Sequence, residues 1–196
     1  MKLFTTLYRS FLFCLISLPL LSSPVYARDY IIDTKGMHAS IQFRIKHLGF
    51  SWLTGRFEDF SGSFNYDKRQ PENSSIEVTV QTVSINTNHA ERDKRLRNEK
   101  YLNVKNFPEA SFVSHSFTPL GEGLFSLEGK LTLHGITHPI SMQVQHIGEG
   151  RDPWGKFRRG FEGRFEITLA DYGITEFLGK DARTMELIIN LEGIRQ

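Results

Sequence analysis

The chain has 196 residues, with 24 Lys and Arg against 22 Asp and Glu, and it contains one cysteine. A chain of this length can bury a sizeable hydrophobic core, so we expect a single domain. One cysteine excludes a disulfide framework, and the near balance of charge indicates no nucleic-acid partner.

The first 27 residues have the pattern of a secretory signal peptide. Lys2 and Arg9 give the segment a positive start, and the apolar stretch 11–21 is too short to span a bilayer. Small residues precede a cleavage site that we expect after Ala27. The segment therefore predicts export to the periplasm, and the alternative is an uncleaved membrane anchor.

Residues 28–196 make up the predicted folded domain. They contain no cysteine, and they carry 22 basic and 22 acidic side chains because Lys2 and Arg9 are removed with the signal peptide. The formal charge of this part is therefore zero, and thiol chemistry is excluded. Its stability must come from the hydrophobic core.

Apolar and polar residues alternate with a period of two in several segments of this domain. Such alternation is typical of antiparallel strands that have one buried and one solvated face. Short glycine-containing stretches at 121–123 and 134–139 predict tight hairpin turns between strands. The alternating segments are 39–45, 60–66, 76–80, 125–133, 140–144, 161–169 and 187–191.

One stretch, at about 88–98, breaks the alternation and predicts a short, mostly exposed helix. Asn88 is a suitable N-cap, and Glu91 follows three residues later, as in a capping box. The middle of the stretch is almost entirely charged. We expect this helix to lie across one end or one side of the sheet.

Glycines recur among the aromatic residues of the predicted strands. Glycine tolerates strong bending and leaves room for another group near the backbone. We predict that the inward-facing glycines leave a groove inside the barrel. The alternative is that aromatic rings of one strand fill the space above the glycine of the next. The glycines concerned are Gly55, Gly62, Gly129 and Gly163.

The seven histidines do not form a metal-binding spacing on the predicted helix. His134 and His138 are four residues apart across a turn, and a zinc site there would need a third ligand that is not nearby in sequence. The sequence shows no nucleophile motif. We therefore predict no metal, no cofactor and no catalytic residue.

The densest polar group lies on the predicted helix. His89, Arg92 and Asp93 are candidates for a lid that hydrogen-bonds the head group of a ligand. Two alternatives stay open. The same residues either anchor the helix to the barrel, or they form the site of an exported enzyme.

Several blocks of the chain, taken in order, resemble the YceI family of exported, lipocalin-like, polyisoprenoid-binding proteins, and the similarity is strongest to enterobacterial members. The resemblance covers essentially all of residues 28–196. Two positions depart from the family pattern. Arg95 stands where the family often has a histidine, and Ala170 stands where it often has a basic residue. The matching blocks are "DTKGMHASIQFRIKHLGFSWLTGRFEDFSGSFNYD", "SINTNHAERDKRLRNEKYLNVKNFPEASF", "GKLTLHGITHPI", "DPWGKFRRGFEG" and "ELIINLEG".

The resemblance implies an all-β fold, an extended eight-stranded antiparallel lipocalin-like barrel with a short helix. It implies that an apolar bore accepts the tail of a long isoprenoid lipid, of the ubiquinone or polyprenyl type, and that the protein forms homodimers. Because such a ligand resides in bilayers, we also expect transient contact with membranes. The rival hypotheses are the exported enzyme and a ligand-free, stress-related structural protein.

The predicted bore residues are the inward-facing apolar side chains of the strands. For both Phe57 and Phe60 to face inward, the chain needs a β-bulge near Asp59. The predicted set is Ile41, Phe43, Ile45, Phe57, Phe60, Phe64, Val78, Val80, Leu131, Leu133, Phe165 and Ile167.

Overall fold

The computed structural model describes residues 27–36, 38–176 and 182–196. The predicted signal peptide lies outside the described residues, apart from Ala27. Within the described residues, no helix is both long enough and apolar enough to cross a membrane. The elements are β1 (Arg28–Ile32), β2 (Ser40–His47), β3 (Ser51–Phe57), β4 (Phe60–Tyr66), β5 (Ser75–Gln81), β6 (Ile85–Asn86), α1 (Ala90–Leu96), β7 (Glu109–Gly121), β8 (Leu124–Leu133), β9 (Ile136–Arg151), β10 (Phe157–Thr168) and β11 (Thr184–Arg195).

The strand segments form a closed antiparallel barrel. Neighbours follow the order β1, β4, β5, β7, β8, β9, β10 and β11, and β11 pairs with β1 to complete the ring. The segments β1 and β2 both pair with β11 and together make one interrupted strand. In the same way β3 continues into β4, and β5 into β6. The barrel is thus an eight-stranded meander, as predicted.

The irregularity expected near Asp59 is present as a break between two strand segments. β3 ends at Phe57 and β4 begins at Phe60, so the strand is interrupted at Glu58 and Asp59. Phe57 and Phe60 are both buried, at 8% and 7% exposure. The break therefore does what a bulge would do, which is to keep both rings on the inner face.

Three hairpins turn through two residues that both have positive φ, the requirement of a type I′ turn. The predicted turns contain Glu122 and Gly123 in one case and His134 and Gly135 in the other. The third turn contains Leu48 and Gly49, with φ values of 52° and 80°. These tight turns hold neighbouring strands in register along the barrel.

The helix is shorter than predicted, and its cap is different. Asn88 has a φ of 61° and does not cap the helix. The N-cap is His89, whose Nδ1 accepts a hydrogen bond from the backbone N–H of Arg92 at 3.2 Å. Because the cap lies one residue later than expected, Glu91 occupies the second helical position and no capping box forms. As predicted, the helix is mostly exposed, and Asp93 is its buried residue.

The prediction that inward glycines leave a groove is wrong at three of the four positions, Gly55, Gly62 and Gly129. A Cβ on Gly55 would collide with the ring of Phe43. A Cβ on Gly129 would collide with the ring of Phe112. At Gly55 and Gly129 the alternative is correct, because an aromatic ring from the neighbouring strand fills the space above the glycine.

The other two glycines behave differently from each other. A Cβ on Gly62 would collide with the backbone carbonyl of Glu77, so this glycine allows a close approach of two strands. Gly163 has Met142 Sδ and a Val144 methyl at 3.3 and 3.4 Å from its Cβ position. Gly163 also lines the interior cavity described below, so it is the one of the four glycines that borders the cavity.

The two ends of the barrel carry different connections. The helix end holds α1 and the turns at 48–49 and 134–135. The far end holds the connections 67–74, 122–123 and 152–156.

Candidate functional site

A continuous cavity of about 420 Å³ lies inside the barrel. Small-molecule sites have volumes of about 300–1,000 Å³ and are mostly apolar, so this cavity is of the right size and character. Each of the eight strands contributes apolar side chains to its wall. At the helix end the wall is completed by Leu96, Tyr101 and Leu102, from α1 and the segment that follows it.

The structure brings eleven of the twelve predicted bore residues together around this cavity. The twelfth, Phe60, is buried at 7% exposure and belongs to the packed core, outside the lining formed by the described residues. The Phe43 ring lines the cavity and also covers Gly55 on the neighbouring strand. The twelve residues thus face the interior as predicted, and their role in binding stays a prediction.

The sequence analysis missed part of the wall. Strands β7, β9 and β11 and the Phe161 position of β10 also line the cavity, and the alternation of apolar and polar residues was visible in the sequence for β9, β10 and β11. Assigning alternate residues of these strands to the inner face would have identified these lining residues. The missed residues include Phe112, Phe117, Met142, Val144, Phe161, Met185, Leu187, Ile189 and Leu191.

Basic side chains meet the cavity at the helix end. Lys46 and His47 lie at the end of β2, and both are exposed. Arg92 and Arg95 reach the cavity from α1. Among the described lining residues every side chain with a full charge is basic, so this end of the cavity favours a negatively charged or electron-rich group.

The three predicted lid residues have three different environments. Asp93 is buried and accepts hydrogen bonds from the backbone N–H and the hydroxyl of Thr87. Arg92 donates to the carbonyl and to the hydroxyl oxygen of Thr87, each at 2.7 Å, while it lines the cavity. His89 is exposed and caps the helix. Most of the hydrogen bonds of these three residues therefore anchor α1 to the neighbouring segment of the chain.

Neutral polar side chains meet the cavity at the far end. Asn65 and Ser75 are hydrogen-bonded to each other across β4 and β5, and Ser74 lies beside them. Below them Arg159 is buried at 5% exposure, with its guanidinium 3.9 Å from the centre of the Tyr66 ring. Arg159 is paired with Glu149, so its charge is neutralised within the wall.

A second arginine at the far end organises an ion-pair cluster. Arg158 donates to Asp33 at 2.6 Å, to Asp152 at 2.7 Å, and to Glu192. Burial alone raises the pKa of Asp33, but hydrogen bonds from Arg158 and His38 outweigh it and lower that pKa to about 2. The Asp33 carboxylate is therefore ionised at neutral pH.

One group of side chains in the described part of the chain has the proximity of metal ligands. Asp33, His38 and Glu192 hold their ligand atoms within 4.8 Å of one another. Arg158 already donates to both carboxylates of the group. The guanidinium thus supplies the positive charge that a cation would supply, and the group is best described as an ion-pair network.

The histidines considered for zinc have structural contacts. His134 Nδ1 lies 3.0 Å from the carbonyl of Tyr172, and His138 Nε2 lies 2.9 Å from that of Asp171. Both therefore join the β8–β9 turn to the short 3₁₀ turn Leu169–Tyr172. His146 packs on Phe161. Burial and the nearby charges of Arg159 and Lys68 lower the pKa of His146.

A family model described as a YceI-like domain matches residues 30–193. The chain belongs to this family. A UPF0312 protein of Ectopseudomonas mendocina is 48% identical over 177 residues, which cover 90% of this chain and 93% of that protein. Protein YceI of Salmonella arizonae is 46% identical over 184 residues, which cover 94% of this chain and 96% of that protein. The predicted family is confirmed, and enterobacterial members are among its relatives, although the Ectopseudomonas protein is as similar as they are.

Solved structures of the YceI-like fold match this barrel. BcnA of Burkholderia cenocepacia superposes with a TM-score of 0.74 at 19% identity, covering 82% of this chain and 98% of BcnA. The YCEI protein of Campylobacter jejuni superposes with a TM-score of 0.69 at 25% identity, covering 78% and 90%. A domain from Saccharophagus degradans, described as polyisoprenoid binding and implicated in plant cell wall breakdown, superposes with a TM-score of 0.62 at 17% identity, covering 85% and 98%.

Proposed function

We propose that the protein binds a long-chain isoprenoid lipid, of the ubiquinone or polyprenyl type, in the barrel cavity and serves as a periplasmic carrier or reservoir. The observation that carries this proposal is the continuous apolar cavity of about 420 Å³ with basic side chains at one end. The Saccharophagus domain, which shares the fold, is described as binding polyisoprenoids. Isoprenoid binding is also the function that the family resemblance implies.

The energetics favour a carrier over a permanent store. Burying one CH₂ group from water contributes about 0.8 kcal/mol, so a tail of about forty carbons would sum to roughly 30 kcal/mol. That sum exceeds the practical ceiling of roughly 18–21 kcal/mol for non-covalent binding. The tail, however, comes from a bilayer and not from water. The free energy of transferring the tail from a bilayer into an apolar cavity is therefore close to zero, so the protein can both load and release its ligand.

The contacts of the helix weigh against the rival enzyme. Asp93 accepts a hydrogen bond from Thr87, and the Arg92 guanidinium donates to Thr87. His89 Nδ1 accepts the backbone N–H of Arg92. A general base must reach the proton that it removes, and these groups are engaged in holding α1 in place. We therefore assign them to anchoring, with Arg92 also placed to contact a ligand.

The test is mass spectrometry of an organic extract from protein purified from its native compartment without detergent. We expect a stoichiometric isoprenoid. The same protein, after delipidation, should take up ubiquinone or a polyprenol from vesicles. An empty extract from folded protein that also refuses both lipids would overturn the proposal and favour a barrel filled by its own side chains.

A pair of glycine variants on β10 tests whether the cavity is the binding site. Gly163→Phe places a ring in the cavity, where the nearest atoms to a Cβ belong to Met142 and Val144. Gly160→Phe on the same strand is the matched control, since its Cβ would have 3.8 Å or more to its neighbours. We expect the first variant alone to lose lipid uptake, with both folded as judged by circular dichroism. Equal uptake by both would place the ligand elsewhere.

A further inference from the structure

The β2–β3 turn presents large apolar side chains to solvent. Phe50 is 87% exposed, Leu48 is 50% exposed and Trp52 is 47% exposed. Leu48 has a φ of 52°, in the left-handed region that a leucine rarely adopts and that asparagine adopts more readily. Exposure and backbone strain both oppose a leucine here. A contact outside the chain explains its presence better than the local fold does.

Positive charge accompanies the apolar turn. Lys46 and His47 directly precede it, and Lys46 Nζ lies 5.7 Å from the centre of the Trp52 ring. The Arg44 guanidinium lies 4.5 Å from the same ring, but it is paired with Glu186, so among the described residues Lys46 carries the unneutralised charge beside the tip. Aromatic and leucine side chains flanked by Lys and Arg are the combination that binds the surface of anionic membranes.

The turn is continuous with the cavity. Lys46 and His47 flank the apolar tip, and the same two residues line the cavity together with Arg95. A surface that holds the tip would therefore also meet the exposed cavity-lining residues of the helix end. This arrangement suits a lipid source better than an unrelated partner protein.

The exposed apolar area is too small for a stable interface with a second copy. An aromatic side chain offers about 150–250 Å². The almost fully exposed ring of Phe50 and the two half-exposed side chains of Leu48 and Trp52 thus offer roughly 400 Å² of apolar surface. A stable interface buries about 800 Å² on each partner. A projecting turn of this size is suited to insertion into a bilayer surface.

We propose that the tip formed by Leu48, Phe50 and Trp52 inserts into the surface of an anionic lipid bilayer and holds the helix end of the barrel against it. The docking itself requires no bound isoprenoid. Its role as the route for loading rests on the function proposed above.

The experiment measures sedimentation of the purified protein with vesicles of phosphatidylcholine, alone and with 30% phosphatidylglycerol. The double variant Leu48→Asn with Phe50→Ser removes two apolar side chains, and asparagine suits the left-handed position. We expect binding that needs phosphatidylglycerol and weakens with salt, and a loss of roughly tenfold or more in the double variant. Lys46→Gln should weaken binding about fivefold.

Trp154→Ser is the matched control, because Trp154 is 79% exposed at the far end. It should leave vesicle binding unchanged. Since the chain has two tryptophans, Trp154→Phe leaves Trp52 as the single fluorophore. Brominated lipids should quench Trp52 in the vesicle-bound protein. Unquenched Trp52, or equal loss in the Trp154→Ser control, would overturn the proposal.

Two further readouts separate docking from lipid binding. The double variant should lose ubiquinone uptake from vesicles yet keep uptake of ubiquinone added from ethanol. Failure of every form to bind either ubiquinone or a polyprenol added from ethanol would reject the proposed function and leave vesicle docking standing. Docking is rejected if the wild-type protein does not bind vesicles. If the double variant then changes its oligomeric state in sedimentation velocity, the tip is an interface between copies.

Discussion

The arginines at the two ends of the barrel differ in what holds them. At the far end, Arg158 donates to three carboxylates and Arg159 is buried against Tyr66. At the helix end, Arg95 is exposed and its side chain lines the cavity. The charges of Arg158 and Arg159 are thus neutralised within the far-end wall, whereas Arg95 stays exposed beside the cavity. Stability should therefore depend on the far end, and ligand contact on the helix end.

The largest expected effect is loss of the far-end ion-pair cluster. Replacing Arg158 by Met leaves the buried carboxylates of Asp33 and Asp152, at 7% and 6% side-chain exposure, without their counter-ion. Removing one partner of a buried pair costs about 3–5 kcal/mol, and Arg158 is 19% exposed, so we expect about 3 kcal/mol in urea denaturation.

Arg164→Met on the same strand is the control for this prediction. Arg164 pairs with Glu162 on the outer face, where the two side chains are 56% and 33% exposed. Such pairs contribute about 0–1 kcal/mol. Equal losses in the two variants would mean that the far-end cluster contributes no more than a surface pair, and the comparison between the ends would fail.

The loss of folding stability at low pH should originate in the same ion-pair cluster. The pKa of Asp33 is lowered to about 2 in the folded protein, from an ordinary value of 3.8. A lowered carboxyl pKa stabilises the fold above the unfolded value, and this contribution is lost as the pH falls from about 4 towards 2. Denaturation at pH 6, 4, 3 and 2.5 should show the loss. Arg158→Met should flatten this part of the profile, and an unchanged profile would exclude Asp33 as its source.

A smaller pH effect is expected from His146, also on the far-end side. Burial lowers its pKa, and so do the charges of Arg159 and Lys68. A histidine whose folded pKa lies below its unfolded value opposes folding once the pH falls below about 6.5. Replacing His146 by Leu should therefore remove a loss of stability between pH 7 and 5. The exposed His47 at the helix end is the control, since His47→Leu should leave that loss in place.

The barrel was predictable because its signals are local and repeat along the chain. Strict alternation over segments such as 125–133 fixes which face is buried, and glycine-containing pairs such as His134 with Gly135 fix the turns. The break between Phe57 and Phe60 was also foreseen, since parity alone requires an irregularity there.

The contacts between distant residues were not predictable. Nothing local shows that Asp33, Arg158 and Glu192 meet, since these residues lie on three different parts of the chain. The glycine prediction failed at Gly55 for the same reason, because the ring that covers it comes from another strand. The cap of α1 moved from Asn88 to His89 because Asn88 adopts a positive φ.

The smallest effect on stability is expected at Arg95, the position where the family often has a histidine. Because Arg95 is exposed, Arg95→Ala should change the free energy of unfolding by no more than about 0.5 kcal/mol. Because Arg95 lines the cavity, we predict that it contributes to binding instead. An exposed ionic contact is worth about 0.2–1 kcal/mol, so affinity for a polyprenyl phosphate should fall by up to about fivefold, while affinity for ubiquinone stays unchanged. Arg97→Ala is the control on the same segment, because Arg97 donates to the carbonyls of Val83 and Ile85 and should affect stability instead. An equal fall for the charged and the neutral lipid would mean that Arg95 contacts the tail, and the division of charge between the two ends would no longer explain how the cavity selects its ligand.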